Sequence, residues 1–367
     1  MIKKLLYMTY ISMKNTPGSG SSVRPQKMKM ALEELGLEVK TFDGADNHLQ
    51  IRKKTVGEVK ELLKNWRPDA CYIEPPPGPM FYSGDVELIR QLHRMRIPIA
   101  IFYRDAYWKY PEYYIGKDTL LIGRMKHQVI KIMQIHQWKV FRDNIDIIYF
   151  PSQTMAKEFV CPYKDVLPPG GFITDATEKK ELSNPLQFIF VGGAAENYGT
   201  FLTINAFEEV NRSGVRAKLF YICPKEQWDG IGIQKELFKD WLDVVHISGD
   251  ENLKSYYEKA DVALLTAPRT FYRDFAVPVK IFEYMSYLKP MLVTNCKETA
   301  RVVNDNRVGW VVQDTVESIA GQIAYLCANS DEITKVKGQM ETARSNNLWI
   351  SRARKVINDL EKKQEEQ

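Results

Sequence analysis

Short runs of apolar and β-branched residues alternate along the chain with longer runs in which apolar positions recur at helical spacing. This alternation is typical of α/β proteins with parallel sheets. In the first half, strands are predicted at 4–9, 37–42, 70–73, 97–102 and 145–150, and helices at 25–35, 55–65, 86–95 and 120–141. In the second half, strands are predicted at 186–191, 217–222, 244–247, 262–266 and 291–294, and helices at 200–211, 252–259, 280–287 and 318–327.

The pattern divides into two parts at a Pro- and Gly-rich stretch, 167–171, which a polar linker at 174–185 follows. A length of 367 residues suits two domains of about 100–200 residues each. We therefore predict one Rossmann-like domain over 1–170, a second over 171–346, and a C-terminal helix at about 347–363. Two such domains in one chain usually place a ligand in the cleft between them.

Composition narrows the class of protein. Hydrophobic residues make up 44% and charged residues 26%, as in an ordinary soluble protein, and the longest apolar runs are too short to span a membrane. The basic start, 1–10, has neither a long apolar core nor a cleavage site, so it is interpreted as a strand rather than a signal peptide. The five cysteines are scattered, which predicts neither zinc nor disulfides and favours a reducing cytoplasm.

Positive charge is concentrated in the predicted helix near the middle of the first domain. The whole chain carries +5, and residues 117–142 hold six basic residues against Asp118 alone: Lys117, Arg124, Lys126, Lys131, Lys139 and Arg142. Apolar residues and Trp138 lie between them, which is the composition of a helix at an anionic lipid surface. The alternative is a core helix with a solvated basic face. With no second basic stripe and no recognition motif, nucleic-acid binding is not expected.

The segment 278–295 carries the most informative motif, a loop followed by a helix and a strand. A helix that opens at Pro278, with Val279 next, leaves backbone N–H groups free to bind a phosphate. Lys280 adds a positive charge beside them, and Glu283 lies where a carboxylate can reach a ribose diol. The alternative is a surface helix with a solvated Lys and Glu.

This segment resembles the nucleotide-sugar signature of GT-B glycosyltransferases, especially the retaining enzymes of family 4. The matching residues are Lys280, Glu283-Tyr284-Met285, Lys289-Pro290, Val293-Thr294-Asn295 and Gly309-Trp310-Val311-Val312. Similar stretches elsewhere include Arg24-Pro25, Phe190-Val191-Gly192-Gly193 and Ser248-Gly249. The resemblance implies a GT-B fold of two Rossmann-like parallel-sheet domains facing a cleft, with the C-terminal helix packed back on the first. It also implies a nucleoside-diphosphate sugar on the second domain, an acceptor on the first, and retention of configuration.

The chain departs from this family pattern at several positions. Phe275 stands where the family has the first of two glutamates, and the loop 193–199 lacks the usual Arg and Lys. Arg273 and Lys280 are the remaining cations near the expected diphosphate. Where family members often hold His-Asp after a strand of the first domain, this chain has Arg104-Asp105. Asp105 is therefore expected to face the ligand crevice, the alternative being a cap on the following helix.

Two further segments of the first domain are candidates for ligand contact. Glu74 ends a predicted strand and is expected to bind the acceptor, the alternative being a structural turn residue. The stretch Gly18-Ser19-Gly20 resembles half of a dinucleotide fingerprint, but its third Gly is absent and it lies too far from the preceding strand. It is interpreted as a loop that contacts donor phosphate or acceptor.

These observations predict a glycosyltransferase that moves a sugar from a nucleoside-diphosphate sugar to a hydroxyl of a glycan or lipid-linked acceptor in surface polysaccharide or exopolysaccharide biosynthesis. No cofactor is expected, and no metal, because the chain has no Asp-x-Asp. The predicted location is the inner face of the plasma membrane. The predicted catalytic residues are Asp105, Arg273 and Lys280; the donor residues are Gly192, Gly193, Ser248, Pro278, Val279, Lys280 and Glu283; the acceptor or phosphate residues are Gly18, Ser19, Gly20, Arg24, Glu74 and Arg104.

Two alternatives remain from the sequence. A catalytically silent GT-B subunit that stabilises a partner enzyme is favoured by the missing glutamate and the missing loop cations, and disfavoured by Lys280 and Glu283. A sugar-nucleotide epimerase of similar fold needs acid and base pairs that the sequence does not assign.

Overall fold

The computed structural model describes residues 1–13, 20–44, 48–110, 121–175, 181–234, 238 and 240–366. The chain divides into two compact units. The first consists of Met1–Pro168 together with Trp349–Gln367, and the second of Pro169–Leu348. Each unit contains a six-stranded sheet whose neighbouring strands are all parallel.

The elements alternate along the chain as an α/β protein requires. The strands are β1 Lys4–Thr9, β2 Glu38–Phe42, β3 Ala70–Glu74, β4 Ile99–Phe102, β5 Ile147–Phe150, β6 Lys164–Val166, β7 Leu186–Val191, β8 Ala217–Ile222, β9 Leu242–Val245, β10 Val262–Leu265, β11 Met291–Thr294 and β12 Gly309–Val312. The described α-helices are α1 Gly20–Glu34, α2 Leu49–Asn65, α3 Ser83–Arg94, α4 Leu121–Asn144, α5 Gln153–Lys157, α6 Thr200–Asn211, α7 Lys225–Ile231, α8 Asp250–Lys259, α9 Val279–Ser286, α10 Lys297–Asn306, α11 Val316–Ala328, α12 Asp331–Asn346 and α13 Trp349–Glu366.

The first sheet has the strand order β2-β1-β3-β4-β5-β6. Consecutive residues of its central strands are buried, because helices cover both faces of a parallel sheet. The last helix of the chain, α13, packs against α1 in this unit. Its Asp359 accepts a hydrogen bond from the Tyr149 hydroxyl on β5 at 2.8 Å.

The strand order of the first sheet reverses between β1 and β3. Open α/β sheets usually bind their ligands at such a reversal.

The second sheet has the order β12-β11-β10-β7-β8-β9, which reverses between β7 and β10. Alternate residues of β7 enter two different cores. Phe188 packs in one core with Phe207 of α6, and Ile189 packs in the other with Ile281 of α9. This two-sided burial explains why β7 is apolar at every position except Gln187 instead of alternating with polar residues.

Most predicted elements are present, with several corrected bounds. The predicted ranges of β1, β7, β8, β11 and α6 agree with the structure to the residue. The prediction that the first helix begins at Pro25 is wrong: α1 begins at Gly20 and contains Pro25. The short β6 and the helices α5, α7, α10 and α12 were not predicted. None of the described helices is long and apolar enough to cross a membrane.

Candidate active site

The carboxyl ends of β7 and β10 lie side by side at the reversal point of the second sheet. The loop after β7 contains Gly192 and Gly193, and the loop after β10 leads into α9. Tyr284 of α9 fastens this helix to both strands: its hydroxyl donates to the Leu264 carbonyl at 3.0 Å and accepts from the Val191 N–H at 3.4 Å. The predicted donor segment therefore lies at the position in the sheet where a ligand crevice is expected.

Glu283 forms the centre of a hydrogen-bonded group on α9. Its Oε1 accepts the Tyr257 hydroxyl of α8 at 2.6 Å, and its two carboxylate oxygens accept Lys280 Nζ at 2.8 and 2.7 Å. Tyr257 is fully buried, whereas Lys280 is partly exposed. Burial, reinforced by the charge of Glu283, raises the pKa of Tyr257 well above its ordinary value, so Tyr257 stays a hydrogen-bond donor. The carboxylate is thus held from the protein side, with its ammonium partner toward solvent.

The structure corrects the predicted position of Pro278 at the start of α9. Pro278 lies just before the helix instead of in its first turn, with an extended backbone, and Val279 is the first helical residue. The position before α9 supplies no side-chain cap. Ser286 holds the last turn of α9 in place. Its hydroxyl donates to the Phe282 carbonyl at 2.7 Å and accepts the Phe172 N–H at 2.8 Å.

Hydroxyl groups hold the glycine-containing loop after β7. Thr200 Oγ1 accepts the Ala195 N–H at 2.9 Å, and the Tyr221 hydroxyl donates to the Gly193 carbonyl at 3.2 Å. Gly199 adopts a left-handed φ of 79°, and a Cβ there would lie 2.0 Å from the Thr266 carbonyl oxygen. The loop therefore approaches the β10 side of the crevice as closely as backbone atoms allow, which is the role that glycine fills in phosphate-binding loops.

The loop after β10 places Arg273 beside this region. Arg273 begins a single 3-10 turn, Arg273–Phe275, and its Nη1 donates to the Pro268 carbonyl at 3.4 Å. The neighbouring Asp274 pairs with Arg269 and also accepts the Lys297 N–H at 2.8 Å. Phe275, at the position of the family's first glutamate, is buried. Ser248 lies after the edge strand β9, exposed, where its carbonyl accepts Asn252 Nδ2.

In the first unit the structure brings three predicted residues together. The buried Glu74 carboxylate accepts Arg24 Nε at 3.0 Å and Arg104 Nη2 at 3.5 Å. Tyr72 also donates to Glu74, at 2.8 Å. Asp105 follows Arg104 in the loop after β4, and Ala106 holds the position before the next turn. Asp105 therefore does not cap that turn.

Of the remaining predicted residues, Gly18 and Ser19 lie outside the described residues, and Gly20 begins α1. The sequence gives no role to the Tyr257 side chain, and it names Tyr284 only as part of the matching motif. Both are aromatic residues on helices, and their spacing alone is the same as that of ordinary core residues.

Within the described part of the chain, no group of three or more His, Cys, Asp or Glu side chains is arranged to hold a metal ion.

Comparison with known proteins identifies the class of protein. Residues 185–329 match the family model described as Glycosyl transferases group 1. A glycosyltransferase from Rickettsia africae superposes with a TM-score of 0.70 at 12% identity, covering 98% of this chain and 98% of that chain. WaaG, a glycosyltransferase involved in lipopolysaccharide biosynthesis, gives 0.63 at 13% identity, covering 96% and 98%. An Escherichia coli structure described as trehalose-6-phosphate bound with UDP-2-fluoro glucose gives 0.62 at 10% identity, covering 97% and 98%.

No curated protein sequence matches the chain. The two sheets and the family match together define a glycosyltransferase of the GT-B type, which confirms the predicted fold class and enzyme class. The segment that matches this family model, 185–329, contains the Lys280–Glu283 pair.

Proposed function

We propose that the chain transfers a sugar from a nucleoside-diphosphate sugar, bound on the second unit, to a hydroxyl of an acceptor bound on the first. The observation that carries the donor half is the group formed by Tyr257, Lys280 and Glu283 at the reversal point of the second sheet. A buried carboxylate held by a tyrosine presents charge-assisted acceptors to a ribose diol. The family match and the UDP sugar in one similar structure support this choice of ligand.

The departing diphosphate needs positive groups rather than a nucleophile. Lys280 and Arg273 supply charge, and the backbone N–H groups at the start of α9 and in the loop after β7 supply oriented dipoles. In this proposal these groups stabilise the diphosphate without a metal ion. Asp105 is the candidate group of the first unit that contacts the reacting sugar. Retention of configuration rests on the family resemblance.

The proposed pathway context is the assembly of a surface polysaccharide or exopolysaccharide on a glycan or lipid-linked acceptor. One of the similar structures is described as an enzyme of lipopolysaccharide biosynthesis, which supports this context. The structure adds a feature of α4 that bears on it. Four large apolar residues of α4 are exposed, at 63, 57, 65 and 44% in chain order: Met125, Val129, Ile132 and Ile135.

These exposed residues share one face of α4, because their spacings of three and four residues equal about one helical turn. Lys126, Lys139 and Arg142 are exposed on the same helix, and its described acidic residue is Asp143 near the end. An apolar stripe flanked by cations fits the interface of an anionic bilayer. The stripe also disfavours the alternative of a core helix with a solvated face. We therefore propose peripheral attachment to the inner face of the plasma membrane through α4.

The transfer proposal is tested first by binding and then by turnover. The purified chain is titrated with UDP, GDP, ADP and TDP, and the donor sugar of the tightest nucleotide is then supplied with candidate acceptors. Sugar transfer or slow donor hydrolysis by the isolated chain is expected. Nucleotide binding with neither reaction would favour the silent subunit that stabilises a partner, and failure to bind any nucleoside diphosphate would overturn the proposed donor site.

Attachment is tested by flotation with anionic and neutral vesicles. Replacing Lys126, Lys131 and Lys139 with Gln should weaken binding to anionic vesicles roughly hundredfold, at about 1 kcal/mol per cation. Replacing Val129 and Ile132 with Ser should also weaken it. The matched control replaces Lys53, Lys54 and Lys60 of α2, three exposed lysines, and should float as the parent does.

Equal flotation of all these variants would contradict the attachment proposal. A change from dimer to monomer in the Val129 and Ile132 variant, without any vesicle binding by the parent, would instead assign the stripe to contact between two copies of the chain.

A further inference from the structure

A proline-rich loop, 75–82, follows the carboxyl end of β3, beside the reversal point of the first sheet. Four of its residues are prolines, which fix their own φ angles and carry no N–H. Phe81, near the end of the loop, has 42% of its surface exposed. Because the loop is stiff, the contacts that hold one of its residues also set the position of the neighbouring residues.

Met80 is the residue that fastens the proline-rich loop to α4. The Met80 N–H donates to Gln137 Oε1 at 2.9 Å, and Gln137 Nε2 donates to the Met80 carbonyl at 2.8 Å. Both residues are buried, and a hydrogen bond is stronger where water is excluded. The side-chain amide of Gln137 therefore binds both backbone polar groups of Met80 at once.

The Met80 side chain connects the proline-rich loop to the end of β1. The Tyr10 hydroxyl, directly after β1, donates to Met80 Sδ at 3.4 Å. The guanidinium of Arg52 lies 4.0 Å from the centroid of the Tyr10 ring, and its Nη1 donates to the Thr9 and Gly44 carbonyls, each at 3.3 Å. Contacts among these residues thus join the loops after β1, β2 and β3 to one another, and Gln137 joins them to α4.

The apolar stripe of α4, which runs from Met125 to Ile135, lies at the same end of the first unit as the proline-rich loop. A helix that connects two neighbouring parallel strands runs opposite to them, so α4 begins at the carboxyl end of the sheet. Gln137 is level with the loop after β3. The part of α4 before Gln137, 121–136, is about 24 Å long and leads away from the strands past their carboxyl ends. The whole stripe lies on this part.

We propose that Gln137 is a positioning residue for the acceptor: it fastens the proline-rich loop to α4, so that a lipid surface in contact with the stripe sets the position of this loop at the crevice. The proposal rests on the proposed function, which places the acceptor on the first unit and anionic lipid on α4. A movement of α4 relative to the sheet has to break the two Gln137 bonds or displace the loop. A lipid surface that restrains α4 therefore keeps the loop closed on it and ready for a lipid-linked acceptor.

The test measures amide hydrogen exchange of Met80 in the full chain, with and without vesicles of phosphatidylglycerol and phosphatidylcholine in equal parts. Since prolines carry no amide hydrogen, exchange in the loop reports on Met80 and its few neighbours. In the parent, vesicles should slow Met80 exchange about tenfold, because local opening becomes rarer. Gln137→Met removes both bonds at similar volume. It should speed Met80 exchange and abolish the effect of vesicles, while flotation stays within about twofold of the parent.

Gln134→Met is the matched control. Gln134 is as buried as Gln137, at 7%, on the same helix, and it has no hydrogen bond to the described residues of the loop. This variant should exchange Met80 as the parent does, with and without vesicles.

Gln137→Glu is a second variant, which tests the hydrogen bonds themselves. A protonated carboxyl group offers one donor and one acceptor, as the amide does, whereas a carboxylate offers acceptors alone and faces the Met80 carbonyl. Met80 exchange in this variant, relative to the parent at the same pH, should therefore slow as the pH falls and the introduced carboxyl takes up a proton. A ratio that does not change with pH would contradict the assigned bonds.

Two outcomes would overturn the proposal. One is an absence of any vesicle effect on Met80 in the parent, whether or not the parent floats. The other is an equal effect of Gln134→Met and Gln137→Met, which would show a general loss of packing around α4.

Titration with UDP, GDP, ADP and TDP separates this proposal from the proposed function. Gln137→Met should bind the tightest of them within about twofold of the parent, because the proposed donor site is on the second unit. A vesicle effect on Met80 in a chain that binds none of the four would contradict the proposed function and leave the role of Gln137 standing. Sugar transfer by a parent that shows no vesicle effect would do the reverse.

Discussion

Replacing Glu283 tests the donor site at its centre. A carboxylate offers about four acceptor positions on its two oxygens. In the free chain, three are used, one by Tyr257 and two by Lys280. A ribose diol that donates two hydrogen bonds therefore displaces at least one bond from Lys280. The ammonium group released in this way becomes available to a phosphate oxygen of the same ligand.

Glu283→Ala removes these acceptors and should weaken nucleoside-diphosphate binding by about 1.5–3 kcal/mol, a factor of roughly 10 to 150. The same change leaves the buried Tyr257 hydroxyl without a partner, so the free energy of unfolding should fall by about 1–3 kcal/mol. Glu283→Gln keeps an oxygen for Tyr257 and should fold more stably than Glu283→Ala, while still losing affinity because the acceptor is no longer charged.

The assay is calorimetric titration with the nucleoside diphosphate, together with thermal unfolding of each variant. Tyr257→Phe is the matched control, because it removes the hydroxyl and leaves the carboxylate. It should bind nucleotide within about threefold of the parent. An unchanged dissociation constant for folded Glu283→Ala would refute the ribose assignment. An equal loss in Tyr257→Phe would show that the effect passes through the packing of α8 on α9.

Three further predictions concern the metal requirement of the reaction and the stability of the two units. Sugar transfer should persist in excess EDTA, and activity that is lost and then restored by Mg²⁺ or Mn²⁺ would show that the phosphate groups are held differently. Arg52→Met should lower the free energy of unfolding by about 3–5 kcal/mol in denaturant titration, because it leaves the buried Asp85 carboxylate without its 2.5 Å partner; Arg52→Met combined with Asp85→Leu should lose less. Gly199→Ala should lower the thermal midpoint more than Gly232→Ala. Both glycines have a left-handed φ, but a Cβ added at Gly199 would clash with the Thr266 carbonyl, whereas a Cβ at Gly232 would meet no described atom within 4 Å.

The central strands of the second unit are predictable because burial on both faces leaves few polar positions in their sequences. The run 186–191 is apolar except for Gln187 and is bounded by Pro185 and Gly192, so both of its ends carry a local signal. Helix α12 escaped prediction because its sequence is mostly polar, with Ile333 and Met340 as buried residues. The start of α1 is not predictable from Pro25, because a proline usually marks the first turn of a helix and α1 contains Pro25 further inside.

The candidate site was predictable only where chemistry and position coincide in one segment. Lys280 and Glu283 lie three residues apart on one helix, so their meeting follows from helical spacing. The contact of Glu283 with Tyr257 joins residues 26 positions apart, and Arg24 reaches Glu74 across 50 positions. Such contacts depend on strand order and helix packing, for which a single sequence holds no local signal.

The first unit is assembled from two segments that lie on either side of the second unit in the sequence, and this affects the order in which the units can fold. The Ile2 N–H donates to Glu361 at 2.8 Å, and Trp349, Val356 and Leu360 of α13 are buried in the same unit. Since domains generally fold as units during synthesis, the contiguous second unit can finish on the ribosome while the first still lacks α13. A stop codon placed directly before α13 would therefore release a chain with a complete second unit and an exposed apolar groove in the first. We expect proteases to cleave such a product faster than the parent, because the groove exposes apolar residues that α13 covers in the complete unit.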